Sequence, residues 1–111
     1  MTAIAELVER LCDGAVVDTA DLARVSGTNP RSVARWRTQE TTPRREAEER
    51  LLELRAVVDL ARRVMRDDAV RLWLRSPSVD LDYRKPLDVI AAGDYQRAID
   101  LLLALAEGVT S

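Results

Sequence analysis

The sequence predicts an all-α protein: an N-terminal helix-turn-helix followed by a long helix and a small C-terminal helical bundle. Three observations carry this. Apolar residues recur every three or four positions through most of the chain, the period of one helix face. Gly and Pro number only four each in 111 residues, too few for a turn-rich β fold. The apolar fraction is 47%, mostly Leu, Val and Ala with no Phe, and the charged fraction is 32%, which fits a packed domain and is too apolar for a disordered chain.

Residues 3–12 place Ile4, Leu7, Val8 and Leu11 on one face, and Asp13-Gly14 ends that helix. Asp18 or Thr19 offers the N-cap of a second helix that runs through Val25. Ser26-Gly27-Thr28-Asn29 is a turn cluster, and Pro30 opens a third helix to about Arg37, where its missing N–H costs nothing. Thr41-Thr42-Pro43 marks the next boundary. From Arg44 to about Arg66, Ala47, Leu51, Leu54, Val58, Ala61 and Met65 form a heptad seam, with Val57, Leu60 and Val64 as a second strip. A helix apolar on more than one side is either buried in a bundle or shared with a partner. A short helix follows over Asp67–Leu74, carrying Leu72, Trp73 and Leu74, and Ser76-Pro77 breaks it. Residues 77–84 read as a polar loop. Pro86 opens another short helix, Gly93 closes it and Asp94 caps the last one. There Tyr95, Ala98, Ile99, Leu102, Leu105 and Ala106 share a face, and Glu107 to Ser111 read as a short tail. The chain divides into a DNA-binding region over 1–43 and a helical partner-binding and dimerisation region over 44–111.

Composition excludes much chemistry. Cys12 is the single cysteine, so no disulfide forms within one chain, in keeping with a cytoplasmic protein. Its place beside an apolar face suits a small buried hydrophobe better than a reactive thiol. With no histidine, a Cys/His zinc site and a Ser-His-Asp or Cys-His catalytic group cannot be built. No Gly-rich phosphate loop is present. Acid pairs such as Asp67-Asp68 and Asp80/Asp82 lack metal-ligand spacing. No enzyme activity, cofactor or metal is expected. The start of the sequence lacks the pattern of a signal peptide, and no stretch reaches the roughly 20 apolar residues of a membrane span.

The net charge of −2 says little by itself, but its distribution says more. Arg24, Arg31, Arg35, Arg37, Arg44 and Arg45 stand against the single acid Glu40 in that stretch. A basic face on an acidic protein is the footprint of a small DNA-binding unit. Within it, Ala23 is small enough for two helices to cross closely, and Gly27 accepts the positive φ of a tight turn. Val33 and Trp36 face inward on the second helix of the pair. The outward positions fall to Asn29, Arg31, Ser32 and Arg35, side chains able to reach phosphates and base edges in a major groove. Helix pairs with a central glycine also occur in bundles that never touch DNA, and arginines on a helix often form only a solvated face.

The segments Trp73-Leu74-Arg75-Ser76-Pro77, Arg84-Lys85-Pro86-Leu87-Asp88 and Gly93-Asp94-Tyr95 stand in an order and spacing that resemble the toxin-binding domain of the Xre/MbcA/ParS antitoxin family. The resemblance covers roughly residues 20–109, and the string Pro30-Arg31-Ser32-Val33-Ala34-Arg35-Trp36 looks like the MbcA branch. It implies an antitoxin of a type II toxin–antitoxin system that neutralises a RES-domain, NAD-consuming toxin by blocking its active site. It also implies repression of its own operon through operator DNA, as a homodimer within a larger toxin–antitoxin complex. The toxin-binding residues so implied are Arg84, Lys85, Tyr95, Glu107, Gly108, Val109, Thr110 and Ser111, with the last five placed near the NAD pocket. Glu107, Thr110 and a terminal carboxylate would meet toxin arginines that otherwise hold NAD phosphates. Two other readings compete. One is a stand-alone dimeric helix-turn-helix regulator whose seam only dimerises, and the other is an antitoxin whose helix-turn-helix no longer binds DNA.

Overall fold

The computed structural model describes residues 3–110, with the side chains of Val109 and Thr110 left outside that description. Seven α-helices are present among the described residues: α1 (Ala3–Cys12), α2 (Thr19–Ser26), α3 (Pro30–Arg37), α4 (Arg45–Val64), α5 (Asp67–Leu74), α6 (Pro86–Ala91) and α7 (Tyr95–Thr110). Two single 3₁₀ turns, Asp13–Ala15 and Val79–Leu81, join them. The molecule is elongated, 49 × 24 × 18 Å.

Local chemistry sets the helix ends. Asp18, rather than Thr19, is the N-cap of α2: its carboxylate accepts the Asp21 N–H at 3.0 Å, and the Asp21 carboxylate accepts the Asp18 N–H at 2.9 Å. Gly27 then takes φ +73°, and the Thr28 N–H reaches back to the Ala23 carbonyl at 2.9 Å. A Cβ at Gly27 would meet nothing within 4 Å, so backbone conformation rather than space calls for glycine. Asn29 caps α3 by accepting the Ser32 N–H at 2.9 Å, and Pro30 sits in the first turn. Gly93, at φ +86°, ends α6 while the Asp94 N–H bonds to the Val89 carbonyl.

One apolar cluster runs through the whole molecule, from Leu7 and Leu22 through Leu51, Leu54 and Val57 to Leu87, Ile90 and Leu102. The long helix α4 is its axis. Ala47, Leu51, Leu54, Val58 and Ala61 of the heptad seam, with Val57 of the second strip, are buried against α1, α2, α5, α6 and α7 of the same chain. The seam is therefore an internal core and is not left open for a second copy. Both regions of the chain thus share one core.

Three boundaries differ from the sequence reading. The long helix stops at Val64. Met65 is extended (φ −147°, ψ 166°) and only packs against the core from the linker. Residues 77–84 are more than a polar loop. Val79–Leu81 make a helical turn, Leu81 is buried, and the Ser78 N–H bonds to the Arg84 carbonyl at 3.1 Å. Arg97 of α7 holds this excursion through Asp82 (3.1 Å) and the Asp80 carbonyl (3.3 Å). Lastly, the expected tail from Glu107 is helical: α7 continues through Thr110. Nothing in Ala106-Glu107-Gly108-Val109 blocks the i→i−4 ladder, because a single glycine weakens a helix without breaking it. Ser111 lies outside the described residues.

Candidate functional site

The two helices expected to form a helix-turn-helix are α2 and α3, joined by the turn at 27–29. Ala23, Val33 and Trp36 are buried between these helices and α1, leaving the opposite side of α3 to solvent. Arg31 and Arg35 are exposed there, beside the half-buried Ser32. Asn29 is at the same end, but its side-chain oxygen is already committed to capping the helix, so only its amide N–H groups face outward.

Tertiary packing sorts the six arginines of the basic stretch. Arg24 pairs with Asp88 of α6 (2.6 Å), Arg37 with Glu9 of α1 (2.6 Å) and Arg45 with Glu49 (3.4 Å). Among the described residues, no ion pair engages Arg31, Arg35 or Arg44. The Arg37 hydrogen bond holds the Glu9 carboxyl below its ordinary value and raises Arg37 in turn. Beside them, burial raises the Cys12 thiol above its usual value, which favours its protonated form.

Arg35 and Arg44 are walls of one cleft of about 420 Å³. Ser26, Gly27, Thr28, Ser32, Trp36, Thr41, Thr42, Pro43 and Ala47 complete its lining. The sequence reading had Thr41-Thr42-Pro43 only as a boundary and left Arg44 out of the site. Its one signal was Arg44's place in the basic stretch.

The residues expected to meet a protein partner fall at the two ends of α7. Arg84, Lys85 and Tyr95 gather at its start. The Arg84 guanidinium turns inward, 3.9 Å from Asp94 and 3.4 Å from the Leu81 carbonyl. Lys85 is the N-cap residue of α6, and Tyr95 packs against the core. Glu107 to Thr110 lie at the far end, roughly 18 Å along the helix at 1.5 Å per residue. Between the two, α7 outruns its own cover. Ala98 and Leu102 are fully buried, but Leu103 is 48% and Leu105 40% exposed. The predicted apolar face is thus covered only as far as Leu102. A second set of uncovered apolar side chains, Leu72, Val79 and Tyr83, lies on α5 and the 78–84 excursion. Sequence reasoning missed it, because nothing local marks an apolar residue as uncovered.

Among the described residues no cluster of acids or Cys could hold a metal ion. No helix is long and apolar enough to cross a membrane.

No family model matches the sequence. Two relatives carry the same description, mycobacterial cidal antitoxin MbcA. They come from Mycobacterium tuberculosis and Mycobacterium bovis, and each is 39% identical over 89 residues, spanning 80% of this chain and 79% of the relative. Among solved structures, the crystal structure of the M. tuberculosis MbcT–MbcA toxin–antitoxin complex contains a chain that superposes with a TM-score of 0.85. It is 34% identical, with 98% of both chains covered.

Proposed function

This chain belongs to the family of the mycobacterial cidal antitoxin MbcA, and from that premise we propose that it is the antitoxin of a toxin–antitoxin pair, acting by direct binding to its partner toxin. The observation that carries the reading is the overrun of α7. A helix that leaves Leu103 and Leu105 uncovered beyond the buried Leu102 offers an apolar surface to another protein. The partner is a RES-domain toxin that consumes NAD. The segment 107–111 enters the mouth of its NAD pocket and excludes the substrate sterically. Arg84, Lys85 and Tyr95 flank the contact at the near end of the helix. No chemistry on the antitoxin is needed for this.

The helix-turn-helix gives the protein a second task, repression of its own operon. The supporting observation is that Arg31 and Arg35 stay outside every ion pair of the described residues while lying on the outward side of α3. Operator binding draws on Asn29, Arg31, Ser32 and Arg35. The two tasks divide along the chain, with 1–43 for DNA and 44–111 for the toxin. A stand-alone regulator dimerised by the heptad seam is disfavoured, because that seam is filled by the chain's own helices. If two copies sit on paired half-sites, they meet through another face.

The test is co-expression with the product of the neighbouring gene, scored for growth and for cellular NAD. The expected result is that the neighbour alone arrests growth and drains NAD, and that this chain restores both. A harmless neighbour would remove the antitoxin reading, and arrest with NAD intact would remove its NAD component.

A further inference from the structure

The cleft beside α3 is chemically one-sided. Its lining holds two guanidinium groups, Arg35 and Arg44, and five hydroxyls; that of Ser26 donates to the Leu22 carbonyl, which leaves the four of Thr28, Ser32, Thr41 and Thr42. No carboxylate lines it. Neither arginine has an ion-pair partner among the described residues, and none of the four hydroxyls has a hydrogen bond to protein there. The nearby acids are occupied or point elsewhere. Glu40 accepts the Thr38 hydroxyl at 2.9 Å, Glu49 faces Arg45, and Glu46 and Glu48 are not part of the lining. The cleft is also built from three separate pieces of chain, residues 26–28, Ser32, Arg35 and Trp36 of α3, and residues 41–44 with Ala47, so the cluster is a product of folding.

From this we propose that the cleft seats a backbone phosphate of duplex DNA, with Arg35 and Arg44 as charge partners and the hydroxyls as donors. Tetrahedral phosphate oxygens suit that donor set, because guanidinium groups and hydroxyls are the usual partners of DNA phosphates. Position selects DNA over another anion. Ser32 and Arg35 belong at once to the cleft and to the outward side of the recognition helix, so a duplex lying along α3 passes its backbone over the cleft. The start of α4 would then anchor register, while Arg31 and the amide of Asn29 work at base edges. The inference rests on the DNA-binding reading above and adds Arg44 and the 41–44 linker to it.

The test is DNA binding by the full chain across a salt series, read by fluorescence anisotropy. It uses one duplex taken from upstream of its own reading frame and a second with that sequence scrambled. Arg44→Ala is expected to weaken both duplexes alike and to make the slope of log K against log salt shallower by about 0.9, the loss of one phosphate contact. Arg44→Lys should restore the slope. Arg63→Ala, roughly 28 Å further along α4, should leave it unchanged. Circular dichroism of each variant separates a binding loss from a folding loss. Binding by the wild type with an unaltered slope in Arg44→Ala overturns the phosphate seat and leaves the helix-turn-helix reading standing. Loss of toxin neutralisation in Arg44→Ala with intact DNA binding overturns it in favour of a protein contact. No binding of either duplex by the wild type overturns both together.

Discussion

The guanidinium of Arg75 closes on the carboxylate of Asp21, and so the end of α5 is fastened to the first turn of α2. Both side chains are largely withdrawn from solvent, at 27% and 12% exposed. Asp21 serves twice, since it also accepts the Asp18 N–H of the capping box. Arg75 donates further to the carbonyls of Val16 (3.2 Å) and Arg71 (2.9 Å), and Arg71 to that of Ala15 (2.9 Å). The expected cost of Asp21→Ala or Arg75→Ala is about 1.5–3 kcal/mol, in the range of hydrogen bonds to charged groups. Urea unfolding of both single variants and the double variant should reveal a coupling of about 1 kcal/mol or more. Additive losses would mean that the two groups act independently.

Acid should act on this same capping pair in two steps. The Asp21 N–H holds the Asp18 carboxyl below its ordinary 3.8, whereas burial raises that of Asp21 above it. A lowered folded-state value contributes stability that is present above 3.8 and is lost as pH falls through the folded value. A raised one has the opposite sign, so Asp21 takes up its proton before Asp18 and does not add to the loss that Asp18 causes. Asp18→Asn keeps a capping oxygen but removes the titration. Its stability should fall less steeply than that of the wild type below pH 3.8, measured by urea unfolding across the acid range. Parallel curves would show that Asp18 contributes nothing to acid sensitivity.

Gly27→Ala should destabilise by about 1 kcal/mol, because alanine is poorly accommodated at positive φ. No neighbour is displaced, since space around the site is open. Gly27→Asn should recover part of the loss, asparagine being more tolerant of the left-handed region. Thermal melts decide it. Equal losses for Ala and Asn would point to a cause other than backbone conformation.

The exposed leucines of α7 should matter to the partner and little to the fold. Leu103→Ser with Leu105→Ser is expected to abolish neutralisation in the growth assay while moving stability by no more than about 0.5 kcal/mol per site. Removal of residues 107–111 should do the same, since among the described residues the last fully buried side chain of α7 is Leu102. Neutralisation by the shortened chain would dismiss the pocket-blocking role of that segment while leaving the leucine surface open to test.

Arg31→Ala with Arg35→Ala should remove operator binding and spare neutralisation. Joint loss of both activities, in variants that still fold, would contradict the division of labour between the two parts of the chain.

Much of the fold was legible in the sequence because helix ends depend on groups within a turn of one another. The left-handed conformation at Gly27 and Gly93, the opening proline of α3 and the acidic start of α2 all act over three or four residues. Periodicity likewise marked Leu51, Leu54 and Val58 as residues needing cover. What covers them was decided by tertiary structure, because an apolar stripe states a need and does not name what will meet it. The seam that suited a dimer is filled from within, while Leu103 and Leu105 are left outside. The basic stretch behaves the same way. Counted along the chain it holds six arginines, but Arg24 and Arg37 are neutralised by Asp88 and Glu9, acids far away in sequence. Arg44, read only as one charge of the basic stretch and the start of the long helix, is brought beside Arg35 and the hydroxyls of Thr28, Ser32, Thr41 and Thr42. Charge pairing falls off within a few ångströms, and only the folded chain sets those distances.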